Sequence, residues 1–452
     1  MDFQKNDFVT MEITGYTSEG NGVGNAGGCA VFVPGAAQGD VLRVRIVKVL
    51  KTYAFGRIEE ILSPSPDRVE PDCPISRRCG GCVFRHIRYE AELRAKEQRV
   101  RDTISRIGGF SDLTVRPILG AAQPNRYRNK AQFPIGSDGE GGIVFGFYVT
   151  HSHVIIPCKD CLLQPHEFTK AMEAVGRWQS ETGETVYDEE TGRGTLRHLY
   201  LRKGFASGQV LACIVANRSS LRGEDRLCEL LRESVAGLSG VLLNQNSERT
   251  NVVLGKENRV LWGKAVLEDT LCGLHFTLSP HSFYQVNRDQ AERLYGVAAQ
   301  YASLTGKETV LDLYCGAGTI GLSMASKVKK LIGVEIVEDA IQNARANAAR
   351  NGIQNAEFFC GDAAKAAEEL HSRGEAPDVV ILDPPRKGCT PSLLESVVQM
   401  APSRIVYVSC DPATLARDLK LLSGFGYFPQ ELTPVDMFPR TSHVETVCLL
   451  SK

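Results

Sequence analysis

Residues 271–452 alternate between two kinds of segment, and few folds tolerate such regularity. The strand-like stretches are VLDLYC, KLIGVEI, AEFFCGD, PDVVILDPP, RIVYVSCDP and VETVCLL, and helical stretches separate most of them. Strands alternating with helices build βαβ units, which predicts a doubly wound, mostly parallel, Rossmann-like sheet over this region. Ligands of such sheets bind at the carboxyl ends of the strands, so candidate chemistry is sought there.

The first of these ends opens the glycine loop of LDLYCGAGTIGLSMA, Leu311–Ala325. Glycines at 316, 318 and 321 let the backbone approach a ligand closely, but the spacing is not the G-x-G-x-x-G of dinucleotide folds. The D-x-x-C-G-x-G form looks like the S-adenosylmethionine loop of methyltransferases. Glu335 ends the next strand, where an acidic side chain accepts hydrogen bonds from both ribose hydroxyls.

Three later strand ends carry reactive side chains. ILDPPRKGC places Asp383-Pro384-Pro385 after the fourth strand, as in enzymes that methylate amino groups. Those enzymes follow it with an aromatic residue that stacks on the base, whereas Arg386 and Lys387 follow here. VYVSCDPATLARDL puts Cys410 at the end of the fifth strand, ahead of a helix whose N-terminus is expected to lower its pKa. For most of the 14 cysteines a small buried packing residue is the default reading. Cys315 reads as loop packing, and Cys389 is left undetermined. In the last segment, FPRTSHVETVCLL, Glu445 interrupts an apolar alternation. It reads either as a charge on a solvated edge strand or as a general base facing the cleft, with His443 as its competitor.

The chain of 452 residues is too long for one core, and its 43% apolar and 23% charged content is that of a globular protein. Residues 1–62 carry several short strands with glycine turns, such as GYTSEGNGVG. VLRVRIVKVL alternates apolar and basic residues, and the whole predicts a small OB-like β-barrel. After the proline-rich boundary SPSPDRVEPDCP, residues 63–270 read as a mixed α+β region. There YEAELRAKEQRVRDTISRIGGF predicts a helix ended by Gly108–Gly109. From Arg77 to Lys130, 13 Arg/Lys face 5 Asp/Glu, which reads equally as a solvated helix face or a phosphate-binding patch.

The polar start MDFQKNDFVT is no signal peptide, and no apolar run is long enough to cross a bilayer, so a cytoplasmic protein without a membrane partner is expected. Reduced thiols in that compartment argue against a disulfide framework. CPISRRCGGC nevertheless gathers Cys73, Cys79 and Cys82, and CKDC offers Cys158 or Cys161 as a fourth ligand. By spacing, iron–sulfur and zinc remain balanced. The C-x5-C-x2-C spacing does not match the C-x3-C-x2-C of a radical S-adenosylmethionine site.

The segments Asp312–Gly318, DPPRKG, SCDPATLARD and HVETV in this order, with FYQVN at Phe283–Asn287, resemble the RNA uracil-5-methyltransferase family. The cysteine trio and N-terminal barrel resemble its branch with a TRAM domain and an iron–sulfur cluster. The resemblance implies a multidomain α/β protein: a TRAM barrel over 1–62, a cluster-bearing region over 63–270 and an S-adenosylmethionine-dependent methyltransferase over 271–452. It implies that Gln285, Tyr314, Glu335 and Asp383 contact S-adenosylmethionine, that Cys410 is the nucleophile and that Glu445 accepts the proton. It also implies a [4Fe–4S] cluster on Cys73, Cys79, Cys82 and Cys161. The RNA partner it favours is 23S rRNA over tRNA, with the uridine flipped out or single-stranded and no obligate protein partner. An amino-directed methyltransferase using Asp383-Pro384-Pro385 is the competing reading.

Overall fold

The computed structural model describes residues 3–149 and 152–452. Met1 and Asp2 of the polar start, and residues 150–151 of the central region, lie outside the described residues. Among those described, no helix is long and apolar enough to cross a membrane.

The N-terminal strands Phe8–Tyr16, Gly22–Ala26, Cys29–Val33, Val41–Val49 and Tyr53–Ser63 close into a barrel. The alternation of VLRVRIVKVL does what the period of two requires: Leu42, Val44 and Ile46 are fully buried inside, while Arg43 faces solvent. A helix over Tyr89–Thr103 follows, extended by a π-type turn over Ile104–Gly108 and closed at the left-handed Gly109. The central region forms a seven-stranded sheet running from Glu257–Gly263 at one edge to Ile155–Pro157 at the other. Helices His166–Thr182 and Glu224–Ser234 cover it, packing Phe168, Trp178, Leu227 and Leu231 onto Leu199, Leu201 and Ile214.

The C-terminal sheet has eight strands, in the order Ala356–Cys360, Lys330–Glu335, Thr309–Leu313, Val379–Leu382, Arg404–Ser409, Glu445–Ser451, Phe428–Val435 and Thr114–Val115. The first five run parallel, as the alternation predicts. Strand order reverses at Thr309–Leu313, and in doubly wound sheets the ligand crevice lies beyond the carboxyl ends at such a reversal. Sequence reasoning passes over two strands. Phe428–Val435 contains two prolines, and Thr114–Val115 comes from far upstream to pair with Glu431 and Leu432 at the edge.

The solvated edge-strand reading of Glu445 does not hold. Its strand is hydrogen-bonded antiparallel on both sides, to Arg404–Ser409 and to Phe428–Val435, and the side chain is only 7% exposed.

Candidate active site

The glycine loop is built by backbone geometry. Tyr314, Gly316 and Gly318 all have positive φ, at 66°, 55° and 79°. Glycine adopts this region freely, whereas a tyrosine is held there by its surroundings. Two acidic side chains brace the loop: Asp312 Oδ2 accepts from the Gly321 N–H at 3.0 Å, and Glu335 Oε2 accepts from the Gly316 N–H at 3.2 Å. Asp312 is 1% exposed and its Oδ1 has no hydrogen-bond partner. An orphaned acceptor buried at the floor of a glycine cradle fits a site that takes a polar, cationic ligand such as S-adenosylmethionine. Burial, then Asp383, pushes the Asp312 carboxyl up to about 8, and burial pushes Asp383 to about 7. Tyr314, Glu335 and Asp383 therefore gather at the carboxyl ends of three adjacent strands. Gln285 lies half-buried just before Asn287, which caps the helix Arg288–Ala302. Tyr295 of that helix shares a hydrogen bond of 2.9 Å with Thr319 in the glycine-loop helix.

The next two strands bring Cys410 and Glu445 side by side. Ser409 and Thr446 are register partners, so Cys410 and Glu445 extend from the same end of neighbouring strands. Burial is the main cause pushing the Cys410 thiol up to about 11, followed by Glu445 and Asp383, with Arg386 opposing. Glu445 is pushed up to about 8 by burial and Asp383, again opposed by Arg386. The expected lowering of the Cys410 pKa by a helix N-terminus is thus corrected. The cap of the helix Pro412–Gly424 is Asp411, whose Oδ1 takes the Ala413 and Thr414 N–H groups at 2.8 and 3.2 Å. That leaves the thiol to be governed by burial and two carboxyls. His443 is exposed, with its ring edge-on to Phe438. Cys315 is buried in the loop, and Cys389 is buried as an acceptor for the Tyr407 hydroxyl at 3.5 Å.

Away from this crevice, Cys73, Cys79, Cys82, Cys158 and Cys161 line one small pocket. The trio and CKDC, about 80 residues apart in sequence, thus meet in space. Among the described residues no three His, Cys, Asp or Glu side chains converge on a single-ion site. Arg85, which sequence reasoning passes over, lines the same pocket; it is buried and donates to Asp72 at 2.7 Å and to Asn125 at 3.1 Å. Its signal in the sequence is an arginine three residues beyond the last cysteine of the trio. Much of the basic stretch is consumed internally: Arg85, Arg94, Lys96, Arg101, Arg116 and Arg126 all pair with carboxylates of the chain. Arg77, Arg78 and Arg88 are exposed.

A family model described as tRNA (uracil-5-)-methyltransferase matches residues 225–452, and a TRAM domain model matches residues 4–58. The chain belongs to the RNA uracil-5-methyltransferase family. Uncharacterised RNA methyltransferases of Halalkalibacterium halodurans and Clostridium tetani are each 44% identical to it, over 99% of this chain and 97% of theirs. The crystal structure of the Pyrococcus abyssi tRNA (uracil-54, C5)-methyltransferase with S-adenosyl-L-homocysteine superimposes with a TM-score of 0.79 at 28% identity. It covers 98% of this chain and 100% of that one. This methyltransferase is accordingly an S-adenosylmethionine-dependent enzyme acting on uracil carbon 5 in RNA, with a TRAM barrel at its N-terminal end. The amino-directed reading of Asp383-Pro384-Pro385 is overturned by that membership.

Proposed function

We propose that the enzyme methylates carbon 5 of a uridine in 23S rRNA through a covalent bond between Cys410 Sγ and uracil carbon 6, with Glu445 as the base. The observation that carries this reading is the placement of a thiol and a buried carboxyl at the same end of two paired strands. Carbon 5 of uracil is too weak a nucleophile to take a methyl group from a sulfonium unaided. Addition of the Cys410 thiolate to carbon 6 pushes the ring electrons toward the carbon 4 oxygen, and the resulting enolate is nucleophilic at carbon 5. Carbon 5 then displaces S-adenosylhomocysteine from the methyl group. Removal of the carbon 5 proton by the Glu445 carboxylate restores the ring double bond and expels the thiolate. Both groups must ionise to act, and Arg386 supplies the positive charge that favours both ionised forms. Gln285, Tyr314, Glu335 and Asp383 hold the methyl donor. The target is reached as a flipped or single-stranded uridine, with the barrel (1–62) and central region (63–270) holding the surrounding RNA.

The thiol pocket fits an iron–sulfur cluster on Cys73, Cys79, Cys82 and Cys161. The hydrogen bond between Cys158 and Cys161, then burial, raises the Cys158 pKa, and the same bond lowers that of Cys161. The family resemblance favours Cys161 as the fourth ligand, with Cys158 as its neighbour. Such a group is structural or positions RNA, and no step of methyl transfer passes through it.

The likeness to the Pyrococcus abyssi enzyme favours tRNA as the second reading. Mapping 5-methyluridine in ribosomal and transfer RNA, with and without the gene, separates the two. Loss of a 23S site supports the first, and loss confined to tRNA replaces it with the second.

A further inference from the structure

The helix Tyr89–Thr103 carries a buried charge cluster that methyl transfer does not use. Lys96 is 1% exposed, and Glu92 and Asp436 are fully buried. Lys96 Nζ donates to Glu92 Oε1 at 2.8 Å, to Asp436 Oδ1 at 2.6 Å and to the Phe438 carbonyl at 3.2 Å. The Tyr89 hydroxyl donates to Asp436 Oδ2 at 2.6 Å, and the Arg440 N–H donates to Glu92 Oε1 at 2.7 Å. Tyr89, Glu92 and Lys96 are spaced three and four residues apart, so they share one helix face. Apart from the Ala121 N–H, which donates to the Tyr89 hydroxyl at 2.7 Å, the partners of that face lie in residues 436–440, within the turn between the strands Phe428–Val435 and Glu445–Ser451.

The same turn is held from two further directions. Arg99 Nη1 donates to the Ser442 carbonyl at 2.8 Å. The N–H groups of Val83 and Phe84, just beyond Cys82, donate to the Arg440 carbonyl at 2.8 and 3.3 Å. Arg440 itself has φ of 71°, a left-handed conformation that an arginine keeps only where its surroundings impose it.

An apolar face would pack this helix against the sheet as firmly, since burying paired charges brings little net stability. What directed hydrogen bonds add is a single geometry for the turn. The turn leads into Glu445, and Val435, the residue before Asp436, is the register partner of Glu445. The anchor therefore stands one residue from the strand position opposite the base.

We propose that Tyr89, Glu92 and Lys96 are positioning residues for proton abstraction: by fixing Asp436 and the 436–440 turn, they set where Glu445 presents its carboxylate. This rests on Glu445 being the base. The test uses the full-length enzyme, total RNA from cells lacking the gene, and labelled S-adenosylmethionine. It follows formation and release of the covalent protein–RNA adduct on denaturing gels for Tyr89→Phe, Lys96→Met and Glu445→Gln. Tyr89→Phe and Lys96→Met should form the adduct at close to the wild-type rate and release it roughly 10- to 100-fold more slowly, the cost of a small misplacement of a reacting group. A merely structural role would slow both steps together or neither. Wild-type release in Tyr89→Phe and Lys96→Met, while Glu445→Gln accumulates adduct, overturns the positioning role. If Lys96→Met does not fold, Tyr89→Phe decides alone. If Glu445→Gln releases product normally, the base assignment fails and this inference falls with it.

Discussion

Thr446 donates its hydroxyl to the Ser409 carbonyl at 3.2 Å, a buried bond between the residue after Glu445 and the residue before Cys410. The two strands are thereby locked in the register that keeps the thiol and the carboxyl at one end. The order of chemical events proposed for this pair can be tested one side chain at a time.

Cys410→Ala removes the group that activates the ring. The variant should bind S-adenosylmethionine as the wild type does and lose methyl transfer by about three orders of magnitude or more. RNA carrying 5-fluorouridine should trap the wild type, because fluorine does not leave as a cation, and should not trap the variant. Undiminished transfer by Cys410→Ala rules out covalent catalysis here.

Glu445→Gln keeps the shape and removes the basic oxygen. It should add the thiol, accept the methyl group and stall, giving a labelled protein–RNA adduct that forms only when S-adenosylmethionine is present. His443→Ala should turn over, since His443 is exposed and flanks the site. Adduct in His443→Ala alone would move the base to that residue.

Activity should climb with pH. In the free enzyme Glu445 ionises only near 8 and Cys410 near 11, so kcat/KM for RNA rises through the neutral range instead of levelling off below it. Arg386→Gln withdraws the cation that favours both ionised forms. It should shift the ascending limb to higher pH and lower activity at pH 7 by about tenfold, the effect of about one pKa unit. An unshifted profile in Arg386→Gln places that charge outside the reaction.

The same carboxyls make folding pH-dependent. Unfolded, Asp312, Asp383 and Glu445 ionise near their ordinary values of about 4. Folded, they do so at about 8, 7 and 8. The folded chain holds the extra protons between those limits, so their contribution to stability is complete below about pH 4 and is lost as pH rises through about 8. Asp312→Asn should raise the melting temperature at pH 8.5 more than at pH 5.5, by differential scanning calorimetry without ligand. An equal gain at both pH values, or none, would show that Asp312 is ionised throughout.

In the thiol pocket, Cys161→Ser should lose iron from anaerobically purified protein, and Cys158→Ser should keep it. Equal retention, or stoichiometric zinc in place of iron, removes the cluster assignment.

The five parallel strands and the barrel were legible because their patterns are local. Leu42, Val44 and Ile46 announce an inside face, and Gly316 and Gly318 a tight loop, within a few residues. Pairing is not local. FPQELTPV carries Pro429 and Pro434, which argue against a strand, yet it lies between the Glu445 strand and the edge, where the sheet tolerates them. Without that neighbour in view, Glu445 looks like a charge at an edge. The Cys410 pKa departs from the sequence expectation for the same reason: the helix that follows it is visible in the sequence, whereas Asp383 and Glu445 reach it only through the fold. The grip of Lys96 on Asp436 spans 340 positions and has no sequence signature.

The short strand Thr114–Val115 closes the far edge of the methyltransferase sheet, with the Arg116 N–H on the Leu432 carbonyl and its guanidinium on Glu431. The helix before it buries Val100 and Ile104 in the same core as Tyr407 and Leu432. The part of the chain that does the chemistry is thus completed by residues that precede the central sheet, and the chain is not modular in the way its alignment suggests. A fragment beginning at residue 225, where the family match starts, would leave that edge unpaired and an apolar face bare, and would tend to self-associate. Exchanging catalytic halves between relatives should therefore succeed only when the segment around 89–120 travels with them, so the two stretches are bound to be inherited as a pair.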